Sequence, residues 1–225
     1  MIIQIYSLTD IDDAVQCAEM GVDQIGFVAG KYGIAPAELD FAEAAALRKA
    51  LPQQTVASAI TMSADVEEIL RMADAVKPDI VHISTDLDDV PPEKMLFLKQ
   101  RLNPAIRITK AIAVGGNESI RDLLRYMEFS DIILLDTKFT HINGIGASGA
   151  THDWNISRKI VELSSKPVIL AGGLHAGNVV EAINKVKPWG VDSFTCTSRT
   201  DDNSRKDLEE VRAFVRAIRE NEANA

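Results

Sequence analysis

Asp136 closes the apolar run Ile132-Ile133-Leu134-Leu135, where a carboxyl group can give or take a proton beside a bound carbonyl or sugar. An aspartate that only orders the next loop is the simpler reading, and the residues themselves leave both open. Four histidines, His82, His141, His152 and His175, all follow apolar runs, so imidazoles can join Asp136 in proton transfer. Their spacing lacks a compact metal motif, and no metal is expected. Gly172-Gly173 follows one apolar run, and Thr195-Cys196-Thr197 follows another. Glycine lets a backbone approach an anion and hydroxyl groups add donors, so the two segments together read as a phosphate cradle. No neighbour of Cys196 signals a lowered thiol pKa, which argues against a nucleophile. Lys110 ends a further run and offers an amine for Schiff-base chemistry.

Such residues meet only if the chain carries them to one rim. Strand-like runs cover Ile2–Tyr6, Gln24–Val28, Thr55–Ile60, Asp79–Ile83, Ala105–Thr109, Asp131–Leu135, Pro167–Leu170 and Val191–Thr195. Helical patterns alternate with them: Ile11–Met20 with a weak cap at Thr9, Glu38–Leu51, Ala64–Val76, a helix opening near Pro91 and Pro92, Glu118–Met127, one near Trp154, Asn178–Val186 and Asp207–Arg219. Eight branched-apolar strands alternating with amphipathic helices predict an α/β fold, a single (β/α)8 TIM barrel over residues 1–225. An open doubly wound sheet is the alternative, but no early glycine-rich dinucleotide fingerprint accompanies it. The polar segment 137–153 reads as an active-site loop. In a barrel, strand ends and the loops after them share one mouth, which gathers Tyr6, His82, Lys110, Asp136, Gly172 and Thr195.

Composition narrows the ligand. A net charge of -9 opposes attraction to a phosphate backbone, so no nucleic-acid partner is expected, while a local pocket for one small anion remains compatible with it. No apolar run approaches a membrane span and no secretory leader is visible, giving a cytoplasmic expectation with no membrane partner. Two cysteines make no disulfide scaffold, and Cys17 reads as core. A homodimer is compatible with the sequence.

Several segments together resemble the phosphoribosylanthranilate isomerase family. They are Leu8-Thr9 with Asp12-Asp13-Ala14, Gly26-Phe27-Val28, Lys110-Ala111-Ile112, Leu134-Leu135-Asp136, Asp153-Trp154, Pro167 to Leu174 with Asn178-Val179, Val191-Asp192 and Lys206-Asp207. The resemblance implies a barrel enzyme that rearranges an aminoaldose phosphate to an aminoketose phosphate without metal or organic cofactor. It further implies Asp136 as general acid and Gly172, Gly173 and the Thr195 region as phosphate ligands. Departures from the family pattern are equally specific. Gln4-Ile5-Tyr6-Ser7 replaces Lys-Ile-Cys-Gly, so Tyr6 holds the position of the family's basic cysteine. Lys31 to Pro36 lacks the arginine of the family's Ser-Pro-Arg turn, and His82-Ile83-Ser84-Thr85 replaces Gln-Leu-His-Gly. Gly144 to Gly149 replaces Gly-Gly-Thr-Gly, and Phe194-Thr195-Cys196 replaces Ser-Ser-Gly.

The expectation is a divergent cofactor-independent isomerase of a phosphorylated sugar or aminosugar-like carbonyl compound. Asp136, Tyr6, His82 and His152 are its catalytic candidates. Gly172, Gly173, Thr195, Cys196 and Thr197 are the phosphate candidates, and Lys110, Gly146, Ser148 and Asp153 the substrate contacts. Two alternatives stand beside it: a noncatalytic binder of a small phosphorylated metabolite, and an aldolase or lyase using Lys110.

Overall fold

Parallel pairing closes the sheet on itself. The computed structural model describes residues 1–35, 37–137 and 150–224. Its strands are β1 (Ile2–Ile5), β2 (Gln24–Ala29), β3 (Glu38–Leu39), β4 (Val56–Thr61), β5 (Ile80–Ile83), β6 (Arg107–Val114), β7 (Ile132–Thr137), β8 (Val168–Leu170) and β9 (Gly190–Ser193). Hydrogen bonding runs β1-β9-β8-β7-β6-β5-β4-β2, and β1 also pairs with β2, so eight strands form a closed barrel. That closure removes the open-sheet alternative. The two-residue β3 is an extra piece, paired at Val28 and Ala29 beyond the ring.

Helices cover the outside: α1 (Ile11–Glu19), α2 (Phe41–Ala50), α3 (Val66–Val76), α4 (Pro92–Arg101), α5 (Glu118–Tyr126), α6 (Trp154–Leu163), α7 (Val179–Val186) and α8 (Leu208–Ala223). Alternate strand residues point to opposite faces, which splits the core in two. Ile3, Ile5, Ile25, Phe27, Ile108 and Ile112 pack outward with Leu123, Val211 and Phe214 of the helices. Ile80, Ala111, Ile132, Leu134, Ile169 and Ala171 fill the bore, with Tyr6 above them.

Most boundaries shift by a few residues from the sequence reading, and three of the differences bear on the site. The cap of α1 is Asp10, whose carboxylate accepts the Asp13 amide at 3.0 Å, whereas Thr9 instead donates to the Ser204 carbonyl at 2.7 Å. The second helix starts at Phe41, because Asp40 and Glu43 form a reciprocal capping box. Glu38 is thereby left to accept the amides of Gly33, Ile34 and Ala35 at 2.7–2.9 Å, folding the preceding loop around its side chain. The third difference matters most for chemistry: β6 continues to Val114, so Lys110 lies in mid-strand.

Candidate active site at the barrel mouth

Tyr6 follows β1 directly and shares the inward parity of Ile2 and Gln4. Its side chain crosses the bore. The hydroxyl lies 2.7 Å from Ser58 Oγ on β4 and 2.6 Å from His82 Nδ1 on β5. Gly26 on β2 makes this path available, since a Cβ there would sit inside the Tyr6 ring. Burial raises the phenol well above its ordinary value, with help from the charge of Asp192, so Tyr6 keeps its proton at neutral pH. A phenol in that state is a hydrogen-bond donor rather than a base. Burial, and then the charge of Lys110, pushes His82 down to about 3, so its ring is neutral. The Nε2 atom of His82 is buried without a hydrogen-bond partner among the described residues.

Two proton arrangements satisfy the chain Ser58–Tyr6–His82: either hydroxyl can donate across the first contact, and Nδ1 accepts from Tyr6 or donates to it according to the tautomer. With the ring proton on Nδ1, Nε2 presents a lone pair.

Asp136 is the fifth residue of β7 and points inward like Ile132 and Leu134. One carboxylate oxygen accepts the Thr137 amide at 2.7 Å, which lowers its pKa less than burial raises it, and the group titrates at about 7. Gly172 closes over this carboxyl. A Cβ at that position would fall 3.2 Å from Asp136 Oδ1, 3.0 Å from His152 Nδ1 and 2.6 Å from Thr137 Oγ1, and the backbone there has φ +86°. Only glycine fits both demands. His152 is neutral, pushed to about 4 by burial, and both its nitrogens are engaged: Nδ1 with Thr137 Oγ1 at 3.2 Å and Nε2 with Ser157 Oγ at 2.8 Å. Its ring ties β7 to α6 beside Asp136.

The two segments that read as a phosphate cradle are tied into loops by side-chain hydrogen bonds. Asn178 donates to the Gly173 carbonyl at 3.0 Å, and Ser193 Oγ donates to the Leu174 carbonyl at 2.7 Å, joining the ends of β8 and β9. Among the described residues no hydrogen bond takes up the amides of Gly172, Gly173, Thr195 or Cys196. Four N–H groups at one end of two adjacent strands can receive an anion. Thr197 is buried and donates to the Phe194 carbonyl at 3.0 Å, holding the turn under them. Burial raises the Cys196 thiol, which stays protonated. Lys206, noted in the sequence only as part of a family-like segment, joins this region: it lies buried 4.8 Å from the Phe194 ring and donates to Ser198 Oγ at 2.8 Å. Burial lowers it to about 8, leaving a cation behind the loop.

Other expected contacts go elsewhere. Asp153 caps α6, accepting the Asn155 amide at 2.8 Å, and is exposed. Lys31 pairs with Glu43 at 2.9 Å on the surface. His175 accepts the Gly177 amide at 3.1 Å within its own loop. Gly146, Ser148 and His141, with most of the loop assigned to 137–153, lie outside the described residues.

Lys110 requires a correction. It has the outward parity of Ile108 and Ile112, is fully buried, and donates to the Thr85 carbonyl at 2.9 Å with the Tyr126 ring 5.7 Å away. Burial lowers it to about 7, but the amine faces the helix layer and cannot meet a ligand in the bore. The aldolase reading loses its nucleophile. Lys110→Met should leave phosphate affinity unchanged while costing about 1–3 kcal/mol of stability through the abandoned Thr85 carbonyl, as read by denaturant melts.

Asp192 and Gln4, present in the sequence reading only within segments compared with the family, are the other residues it did not assign to the site. Gln4 Nε2 donates to Asp192 Oδ1 at 3.1 Å inside the barrel, and both share inward parity with residues already singled out. Period-two counting back from Tyr6 and Phe194 would have found them. Among the described residues no three histidine, cysteine or carboxylate groups come together to hold a metal ion, and no helix is long and apolar enough to cross a membrane.

Comparison with known proteins agrees over almost the full length. Residues 3–217 match the family described as N-(5'phosphoribosyl)anthranilate (PRA) isomerase. The N-(5'-phosphoribosyl)anthranilate isomerase of Methanocella arvoryzae is 34% identical over 218 residues, covering 96% of this chain and 97% of that protein. That of Methanothrix thermoacetophila is 34% identical over 206 residues, covering 91% and 92%. The crystal structure of phosphoribosyl anthranilate isomerase from Thermotoga maritima superposes with a TM-score of 0.81 at 26% identity, covering 98% of this chain and 100% of that one. The chain therefore belongs to the N-(5'-phosphoribosyl)anthranilate isomerase family.

Proposed function

We propose that the protein is a cofactor-independent isomerase that converts a phosphorylated aminoaldose, or a closely related sugar phosphate, into the corresponding ketose. The observation that carries this reading is an inward-facing carboxyl group at the barrel rim, Asp136, pushed up to about 7 by burial, on the strand next to loops with four amides that no hydrogen bond takes up among the described residues. In its acid form Asp136 protonates the ring oxygen of the bound sugar. The ring opens as the substituent on the first carbon supplies its electron pair, and a base then takes the proton from the second carbon. The enol or enolamine so formed relaxes to the ketose.

His82 is the residue we assign to the second proton. It is neutral, its Nε2 edge is unpartnered among the described residues, and it lies on β5, two strands from Asp136, in register with Thr109 and Ile132 and so four residues short of Asp136 along the strand. Two strand spacings and that offset give roughly 16 Å between backbones along the sheet, a gap for the substrate's carbon chain and the two side chains to span. In the tautomer with its proton on Nδ1, which donates to Tyr6 Oη while Tyr6 donates to Ser58 Oγ, the Nε2 lone pair accepts the substrate proton. Tyr6 thus positions the imidazole. The phosphate group is held by the amides of Gly172, Gly173, Thr195 and Cys196, with the Thr197 turn beneath them.

The relatives are named for N-(5'-phosphoribosyl)anthranilate, which makes that compound the first substrate to try, followed by unsubstituted aldose 5-phosphates. Reaction in deuterium oxide, followed by proton NMR, should show ketose formation with deuterium entering the first carbon, which takes up a proton as the second carbon becomes the carbonyl. Saturable binding of these phosphates with neither turnover nor exchange would overturn isomerisation and favour a phosphometabolite-binding role, to which the Tyr6-filled bore would then belong.

A further inference from the structure

The strand register places a second carboxyl group beside Asp136. Leu135 pairs with Leu170 and Leu170 with Val191, so the next residues, Asp136, Ala171 and Asp192, lie in one row across β7, β8 and β9. Gln4 continues that row on β1. All four have inward parity, and the one residue between the carboxyls is alanine, too short to separate them. Asp192 is 5% exposed and accepts a hydrogen bond from neutral Gln4 Nε2 at 3.1 Å. No arginine or lysine forms a salt bridge with either carboxylate among the described residues.

We propose that Asp136 and Asp192 titrate as one electrostatically coupled pair across Ala171 that holds one proton at neutral pH, and that Asp192 is the positioning residue whose charge favours the acid form of Asp136. Two carboxylates in one desolvated space repel, so one stays protonated where either alone would ionise. Burial raises both, and the charge of Asp136 raises Asp192 further, to about 8. The surrounding groups do not cancel this. Facing Asp192 are Gln4 and the protonated Tyr6 from β1, and Lys206, whose charge acts the other way from behind β9. Facing Asp136 are the Thr137 amide and neutral His152. After Asp136 gives its proton to the substrate, two facing carboxylates remain, and their repulsion drives Asp136 to take up the next proton released.

The titration itself is independent of any substrate; only its catalytic consequence rests on the proposed isomerase reading. Protein labelled with carbon-13 at the aspartate carboxyls should be titrated by NMR, with Asp136→Asn and Asp192→Asn identifying the two signals by their loss. Asparagine still accepts from Gln4, so Asp192→Asn removes charge while keeping the hydrogen bond. The expected result is a coupled two-step titration in the wild type and a fall of about one pH unit or more in the Asp136 midpoint in Asp192→Asn, roughly tenfold in proton affinity. If Asp192→Asn fails to fold, the Asp192 midpoint in Asp136→Asn reads the same coupling from the other side. A midpoint that stays put when its partner is neutralised overturns the coupled pair. With a substrate in hand, the alkaline limb of kcat/KM should move to lower pH in Asp192→Asn, because activity is lost as pH rises through the Asp136 pKa; a structural role would lower kcat at every pH and leave the limb in place.

Discussion

Replacing Asp136 with asparagine should reduce turnover by about 10²–10⁴-fold, the range a positioned acid contributes, while leaving the affinity for a phosphate-bearing ligand within a few fold. The separation follows from the architecture. Asp136 belongs to β7, whereas the amides assigned to phosphate belong to the loops after β8 and β9 and are held by Asn178, Ser193 and Thr197. Asparagine can still accept the Thr137 amide, so the rim need not rearrange. Steady-state rates beside calorimetric binding of inorganic phosphate would check both halves. Equal loss of binding and turnover would mean that Asp136 holds the ligand rather than transferring a proton, and the isomerase mechanism would have to be rebuilt around another acid.

Gly26→Ala should destabilise the fold by about 1–3 kcal/mol or more, because the new methyl group occupies the Tyr6 ring position. Tyr6 cannot simply swing aside: its hydroxyl is held by Ser58 and His82, and its ring is 4% exposed. The same methyl should be tolerated when Tyr6 is shortened. A double-mutant cycle with Tyr6→Cys is therefore expected to show a coupling of about 1–3 kcal/mol, with the pair of substitutions better tolerated than Gly26→Ala alone. Additive effects would place the cost of the alanine in the β2 backbone and remove the case for Gly26 and Tyr6 as a fitted pair.

Much of the barrel is legible in the chain's own pattern. Branched-apolar runs of strand length, each followed by a helical pattern, mark eight repeating units because burial on both faces demands near-continuous apolar strands. Asp136 is legible for the same reason, as a lone carboxylate ending such a run, and Gly172-Gly173 because glycine is required where φ is positive and a carboxyl lies overhead. Parity along a strand is also present in the sequence, and it separates inward Asp192 from outward Val191. Only the tertiary structure decided how far β6 extends and therefore that Lys110 faces the helices, since the apolar run continues through Ile112 and Val114 without a break in pattern. It also decided which residues meet. Tyr6, Ser58 and His82 come from three strands, and Asp136 and Asp192 from two more, and their pairing depends on register and closure, which connect positions that no local pattern links. The sequence determined which side chains carry chemistry; the stagger of the closed sheet determined their neighbours, and burial among those neighbours set their protonation states.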